Sequence, residues 1–372
     1  MRKILKFLLI ILSLLLAAEL AFSGWMLYRE INMVPQDDEQ ALSQTTAASE
    51  TTVPETTVPP TTAAPETFTL TFTGDFTPGC MPGQFENPKA YVGTVGDDYE
   101  FPFAHMRSYF EADDFTFLNL EVVLGRDVGK KANKTFVFSA PEEYVQIMTT
   151  SSVEAVTLAN NHTEDFGAEG YENTKRILEE NDVSYVEKKS TTLFTTGSGL
   201  TIGLYADCAN IRESHIEESI AYLREQGAEL VICAFHWGTE GAYNHDKTQT
   251  HYAHAAIDAG ADIVVGHHPH VLQEMESYNG GLIFYSLGNF SFGGNDHPKD
   301  YDSAVIQQQI LREYDGTIRI GQTTVIPISI SSASDRNNYQ PIPYPVGSEG
   351  YQRVLDKLNG TYSGPNVIPH YW

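Results

Sequence analysis

The chain has 372 residues, enough for one large or two ordinary domains, with 41% hydrophobic and 19% charged side chains, so most of it can bury a core. Lys and Arg number 23 against 49 Asp and Glu, a formal net charge of −26. That balance excludes nucleic acid, or an anionic lipid surface, as a partner held through the general field of the protein, but leaves cations and metal-mediated phosphate binding open. Three widely spaced cysteines, Cys80, Cys208 and Cys233, form no disulfide framework or zinc ribbon and are expected as free thiols, the last two buried in strand-like runs.

In chain order, Arg2, Lys3 and Lys6 precede a mostly apolar run to Tyr28, interrupted by Glu19. Roughly 20 apolar residues span a bilayer. Basic residues at the front keep that end in the cytoplasm, and Trp25 with Tyr28 suits the far interface. Residues 1–34 are therefore expected to be a basic end with a single-pass transmembrane helix. The rival reading is a cleaved signal peptide, with Ala21-Phe22-Ser23 as a poor cleavage site and a secreted product. Either way the rest lies outside the cytoplasm. Residues 35–67 include the Thr/Pro-rich stretch TTAASETTVPETTVPPTTAAPET, which cannot bury enough surface to offset its ordering entropy and reads as a disordered stalk.

From Phe68 the texture changes. TFTLTFTGD (67–75) alternates Thr with Phe and Leu, a strand period, and stops at Gly74-Asp75. HMRSYFEADD (105–114) predicts a helix, and FTFLNLE (115–121) a strand ending at Glu121. Pro141 with two acids behind it starts a helix over 141–151. Strands follow over 153–162, 200–208, 229–238 and 261–268, with helices over 168–181, 216–227 and 248–260. Two hairpins come next, turning at Asn279-Gly280-Gly281 and at Asp315-Gly316. The expected fold class is α/β with mixed sheets in residues 68–334, followed by a C-terminal extension, 335–372, with one short helix near QRVLDKLNG, packing on the domain.

Nearly every candidate strand ends in polar residues, and in α/β sheets ligands sit outside the carboxyl ends of strands. Asp75, Glu121, Asn160-Asn161-His162, His236 and His267, His268 and His270 are thereby delivered to one edge. Imidazole with carboxylate and an amide oxygen suits Zn, Mn, Fe or Ni. Asp75 and His270 can hold one ion while Asn161, His236 and His268 hold the other, with the two oxygens of Glu121 as the bridge. Two cations about 4 Å apart clamp the oxygens of an in-line displacement and activate a water. His162, next to Asn161, is placed to act as general acid. Asn119, Asn160, Asp165, Glu240, His267 and Asn289 are expected to contact substrate or orient the ligands.

Each residue also has an ordinary use. Gly-Asp at a strand end is often a turn, Asn160-Asn161 suit left-handed backbone, and His236 can be a hydrogen-bonded core histidine. His251 and His254, three apart on a helix, can face one ion, but packing or water is the commoner fate. Three histidines within four positions, 267 to 270, are the hardest to explain without a site.

TGD (73–75), NLE (119–121), LANNHTEDFGAEG (158–170), HWGTE (236–240), GADIVVGHHPHVLQ (260–273) and YSLGNFSF (285–292), in that order, resemble the CapA family of bacterial poly-γ-glutamate capsule biosynthesis proteins, which in turn resembles the calcineurin-like metallophosphoesterases. The resemblance covers roughly residues 68–330. It implies a four-layer αββα sandwich, a membrane-anchored extracytoplasmic domain and a role in making or exporting an anionic capsule polymer. Carried over from the wider pattern, Asp75 is the first-motif aspartate, Glu121 stands for the bridging aspartate, and Asn161-His162 match metal ligand and proton donor. His236 matches the lone histidine, and His268 and His270 the terminal pair. One position departs: the superfamily has Asp-x-His where this chain has Asp75-Phe76-Thr77, which leaves one metal with a ligand fewer.

The expected function is that of a metal-dependent, phosphoesterase-like hydrolase with two divalent ions (Mn, Zn or Fe), serving synthesis of poly-γ-glutamate or a similar envelope polymer. Its expected partners are that polymer or its precursor and membrane synthase subunits. The alternative is a non-catalytic subunit that binds the polymer or docks with a synthase through the same pocket. A purely structural envelope domain would have no use for the clustered histidines.

Overall fold

The Thr-Phe-Thr-Leu alternation at residues 67–70 builds strand β1 (Glu66–Thr77), which runs through the centre of the larger sheet. The computed structural model describes residues 64–364; the predicted membrane helix, the stalk up to residue 63 and the chain beyond 364 lie outside the described residues. Among the described residues no helix is long and apolar enough to cross a membrane.

Then come β2 (Phe115–Leu120), the two-residue β3 (Val123–Leu124) and β4 (Ser139–Ala140), β5 (Ala155–Thr157), β6 (Ser184–Val186), β7 (Ser190–Thr195) and β8 (Thr201–Cys208). They are followed by β9 (Leu230–His236), β10 (Ile263–His267), β11 (Met275–Tyr278), β12 (Gly281–Phe284), β13 (Asn289–Phe292), β14 (Asp302–Arg312), β15 (Ile318–Ser329) and β16 (Ile342–Pro343). The larger sheet has the order β16-β15-β14-β1-β2-β5-β6, with β13 also paired to β1. The second sheet has the order β11-β12-β10-β9-β8-β7. Both are mixed: β1, β2, β5 and β6 run parallel, as do β12, β10, β9 and β8, and hairpins flank them.

Apolar side chains set the layers. Phe68, Leu70, Phe72 and Phe117 of the first sheet share one buried cluster with Ile202, Leu204, Ile232, Ile263 and Val265 of the second. Alternate residues of the second sheet, Val231, Cys233, Phe235 and Val264, face away and bury helices Glu213–Glu225 and Lys247–Asp258 through Ile216, Ile220, Leu223, Ala253 and Ile257. On the outer side of the first sheet, Leu118, Leu120 and Val156 pack with Ile177 and Leu178 of helix Gly167–Glu180 and with Phe103, Phe110 and Ile147. The layers therefore run helices, sheet, sheet, helices. Strands β9 and β10, covered on both faces, are continuous apolar runs for that reason. All three cysteines are buried and free.

Several local expectations need correcting. The helix predicted over 105–114 is reduced to Arg107–Phe110. Its last two acids are committed elsewhere: Asp114 Oδ2 accepts from the Thr69 N–H at 2.8 Å and Asp113 Oδ2 from the Thr116 hydroxyl at 2.7 Å. Such side-chain bonds compete with a helix for the backbone. The strand predicted over 153–162 is only β5, because the chain turns at Ala159 to present Asn160, Asn161 and His162. Strands β6, β7 and β13 were not expected; they are short and carry weak alternation.

The C-terminal segment contains helix Glu349–Leu358, capped by Ser348 Oγ accepting from the Tyr351 N–H at 3.2 Å. Val354 and Leu358 join the inter-sheet cluster. Lys357 and Arg353 both donate to the fully buried Asp302 of β14, at 2.7 Å and at 2.6 and 2.7 Å.

Register then brings the polar strand ends together. Asp75 lies opposite Asn119 of β2 and Asn289 of β13. In the other sheet His236 lies opposite His267. Gly74 is required where β1 meets the turn before β13: a Cβ there would stand 2.1 Å from the Gly288 carbonyl oxygen, which accepts from the Asp75 N–H at 2.8 Å.

Candidate metal centre

Three sets of side chains have ligand atoms within 4.8 Å of one another: Asp75, Glu121 and His270; Glu121, His236 and His268; and Glu240, His268 and His270. The first two share Glu121. Asn161 Oδ1 lies 2.8 Å from His236 Nε2, at the open end of the second set. Residues separated by nearly two hundred positions thus converge at the strand ends of two sheets. His268 and His270 get there through backbone that few side chains adopt, with φ of 96° and 57° on either side of Pro269. Strained φ of this kind persists only where surrounding structure holds it.

The donors fit a cation. Glu121 is fully buried, and neither of its carboxylate oxygens has a hydrogen-bond partner. His236 Nδ1, His268 Nδ1 and both nitrogens of His267 are likewise buried without one. Buried polar atoms are normally satisfied, so a cluster of unsatisfied lone pairs is the signature of a group that brings its own charge. Imidazole and carboxylate together match a first-row transition ion.

Asp75 is held on all sides. Asn119 Nδ2 donates to its Oδ1 at 2.9 Å, and the His268 N–H donates to Oδ2 at 3.4 Å. His270 Nδ1 is 3.1 Å from Oδ2. His267 Nδ1 is 3.2 Å from Oδ1, an ion-pair distance without hydrogen-bond alignment. Burial pushes the Asp75 carboxyl up, but the His267 and His270 imidazoles outweigh it and hold it well below the usual range. Glu121 is driven the other way, well above the usual range, first by burial and then by the Asp75 charge. Burial depresses His236 strongly, and burial with the His270 charge brings His268 to about 4. For His270 burial acts downward, yet the facing Glu121 and Asp75 carboxylates raise it to about 10. Neutral His236 and His268 are the form in which imidazole binds metal.

A polar relay runs sideways from the ligands. Asn160 Nδ2 donates to Asn119 Oδ1 at 2.9 Å and to the Leu120 carbonyl at 2.8 Å, while its Oδ1 accepts from the His162 N–H at 3.0 Å. His162 Nδ1 meets Asp165 Oδ2 at 2.6 Å, and the Phe138 ring packs on the imidazole at 4.6 Å. Asn289 Oδ1 lies 2.9 Å from His270 Nδ1.

A family model described as bacterial capsule synthesis protein PGA_cap matches residues 69–294, a span containing every residue above. The chain belongs to this family. Among curated relatives, capsule biosynthesis protein CapA of Bacillus anthracis is 31% identical over 303 residues, which cover 73% of this chain and 69% of that protein. PGA biosynthesis protein CapA of Bacillus subtilis (strain 168) is 31% identical over 255 residues, 62% of this chain and 66% of the relative. Solved structures are more distant. NAD nucleotidase of Haemophilus influenzae has a TM-score of 0.40 at 11% identity, covering 79% of this chain and 62% of that one. A purple acid phosphatase from yellow lupin (Lupinus luteus) seeds has 0.31 at 10%, covering 70% and 53%. Likeness at that level does not bear on the chemistry.

In this PGA_cap protein three other histidines are used elsewhere. His254 stacks on Tyr278 and pairs with Glu276 at 3.1 Å; His251 pairs with Glu213 at 2.6 Å. His245 stacks on Tyr285 and pairs with Glu274 at 3.0 Å. Thr77, at the departing position, is buried with its hydroxyl unpartnered. Sequence reading missed Lys134, whose ammonium contacts the Asn161 carbonyl and bonds Asp165 Oδ1 at 2.9 Å. Its signal was faint: the basic run Lys130-Lys131-x-x-Lys134 in a strongly acidic chain.

Proposed function

We propose that this protein serves synthesis of poly-γ-glutamate or a similar anionic envelope polymer as a metal-dependent hydrolase of the phosphoesterase type. Glu121 carries the reading: a fully buried carboxylate without a hydrogen bond, 3.5 Å from His236 Nε2 and common to two donor sets. One position draws on Asp75, Glu121 and His270, and the other on Glu121, His236, His268 and the Asn161 amide. When bound, two divalent ions (Mn, Zn or Fe) would polarise a substrate oxygen and activate a water. His162 is the proton donor to the leaving oxygen. Asp165 occupies its Nδ1, so the transferable proton is on Nε2, and the Asn119–Asn160 relay fixes its backbone relative to Asp75. The N-terminal apolar run anchors the folded part outside the cytoplasm, beside a membrane synthase and the polymer or its precursor.

Thr77 supports a second reading, a subunit that binds polymer without turnover, because no imidazole stands there to complete a ligand set. Metal analysis and assays on generic phosphomonoesters and phosphodiesters separate the two. Two transition ions per chain, with turnover that a chelator abolishes, support the hydrolase. Stoichiometric metal without turnover supports the binding subunit. His162→Ala is expected to keep the metal and lose turnover, and His268→Ala to lose metal. A His162→Ala protein stripped of metal would overturn the acid assignment.

A further inference from the structure

The two donor sets are unequal. Glu121, His236, His268 and the Asn161 amide make four protein donors on one side, whereas Asp75, Glu121 and His270 make three on the other. Thr77 Oγ1 is a neutral hydroxyl and a poor substitute for imidazole or carboxylate. The third set contains a carboxylate that neither of the others uses.

Glu240 has a ligand oxygen within 4.8 Å of nitrogens on both His268 and His270, the two histidines assigned to different positions. It lies in the loop after β9, and that loop is built against the histidine turn. The Gly241 N–H donates to the Pro269 carbonyl at 2.8 Å, between the two histidines, and the Trp237 N–H donates to the His267 carbonyl at 3.1 Å. Gly238 and Gly241 have φ of 81° and 74°, so the loop turns sharply on both sides of Glu240. Gly238 also leaves no room for a side chain, since a Cβ would come within 2.7 Å of Gln249 Oε1. The Glu240 carboxylate has no hydrogen bond or ion pair within bonding distance among the described residues, although its charge acts on His268, His270 and Glu121. A half-exposed carboxylate is ordinarily left to water; this one is held beside two half-buried imidazoles by backbone bonds.

We propose that Glu240 is a metal ligand, the anionic donor that completes the His270 side of the pair in place of the imidazole missing at Thr77. The inference rests on the two-ion reading and deepens it. A glutamate in the loop after β9 supplies what the end of β1 does not. Because Glu240 is partly exposed where Asp75 and Glu121 are buried, it closes the pair on its open rim, the side from which substrate arrives. An anionic substrate oxygen and the Glu240 carboxylate would then compete for the same position.

Binding of Mn²⁺ alone tests this. Wild type, Glu240→Gln and the exposed helix-surface control Glu217→Gln are stripped with chelator and titrated calorimetrically, and ions per chain are counted by mass spectrometry after desalting. Cobalt(II) loading adds a visible spectrum sensitive to ligand loss. Glutamine keeps the size of the side chain and removes its charge, so folding is preserved. The expected result is two ions in wild type and control, with the weaker site in Glu240→Gln losing at least about tenfold in affinity and its cobalt band altered. Two equally tight ions and an unchanged spectrum in Glu240→Gln would overturn the ligand assignment while leaving the two-ion reading intact. A wild-type protein that takes up no Mn²⁺ would overturn both.

Discussion

Glu121→Met should invert its effect on stability when metal is added. In the metal-free protein Glu121 is a fully buried carboxyl whose two oxygens make no hydrogen bond, with His236 Nε2 at 3.5 Å and the charged Asp75 beside it. A buried group left unsatisfied costs about 1–3 kcal/mol. Methionine is similar in length and volume and has no such need, and Glu121 makes no hydrogen bond that the change would break. In chelator, therefore, Glu121→Met should be more stable than wild type by about 2 kcal/mol, or roughly 4 °C in Tm at about 2 °C per kcal/mol for a domain of this size. With Mn²⁺ at about one hundred times Kd, each occupied site adds about 2.7 kcal/mol to wild type. Two sites add about 5 kcal/mol, which the variant forgoes because it lacks the shared ligand. Thermal unfolding with and without Mn²⁺ reads both halves. A variant less stable than wild type in chelator, or one that gains as much as wild type from Mn²⁺, would refute the assignment of Glu121 as a destabilising group retained for metal.

Three further outcomes are expected. Asp165→Asn should leave metal content unchanged and lower turnover by about a hundredfold or more, because His162 loses the carboxylate that orients it; steady-state rates beside metal analysis check this. Lys357→Met should destabilise by about 3 kcal/mol in urea unfolding, the low end for breaking a buried pair, since Asp302 keeps Arg353 and the Tyr344 hydroxyl. Burial raises the Asp302 carboxyl, but Arg353 and Lys357 outweigh that and hold it below the usual range. Its contribution should therefore be complete above the ordinary aspartate value of about 3.9 and be lost as pH falls below that. Urea midpoints from about pH 5 downward should fall more steeply for wild type than for Lys357→Met; parallel curves would contradict this.

The sequence by itself determined which residues could act. Period-2 alternation in β1 and the continuous apolar runs of β9 and β10 identify strands because side-chain direction is a local property of the backbone. A polar residue at the end of such a run is marked by its neighbours, and Asp75, Glu121, Asn161, His236, His268 and His270 all carry that mark. Asn279-Gly280 likewise announced the β11–β12 hairpin, with φ of 45° and 85° at the turn.

Only the tertiary structure decided which of these residues meet. Convergence depends on the sheet each strand joins and on the register it adopts, and both are settled by apolar contacts between distant segments. Phe72 of β1 and Val265 of β10 share the inter-sheet cluster, which sets Asp75 beside His270. The same packing sent His245, His251 and His254 to glutamates on other surfaces. It also brought Glu240 to the histidines and Lys134 to Asp165 from loops without periodicity, where local sequence carries no direction for a side chain. Residue chemistry is written locally; the distance between two donors is a property of the whole packed chain.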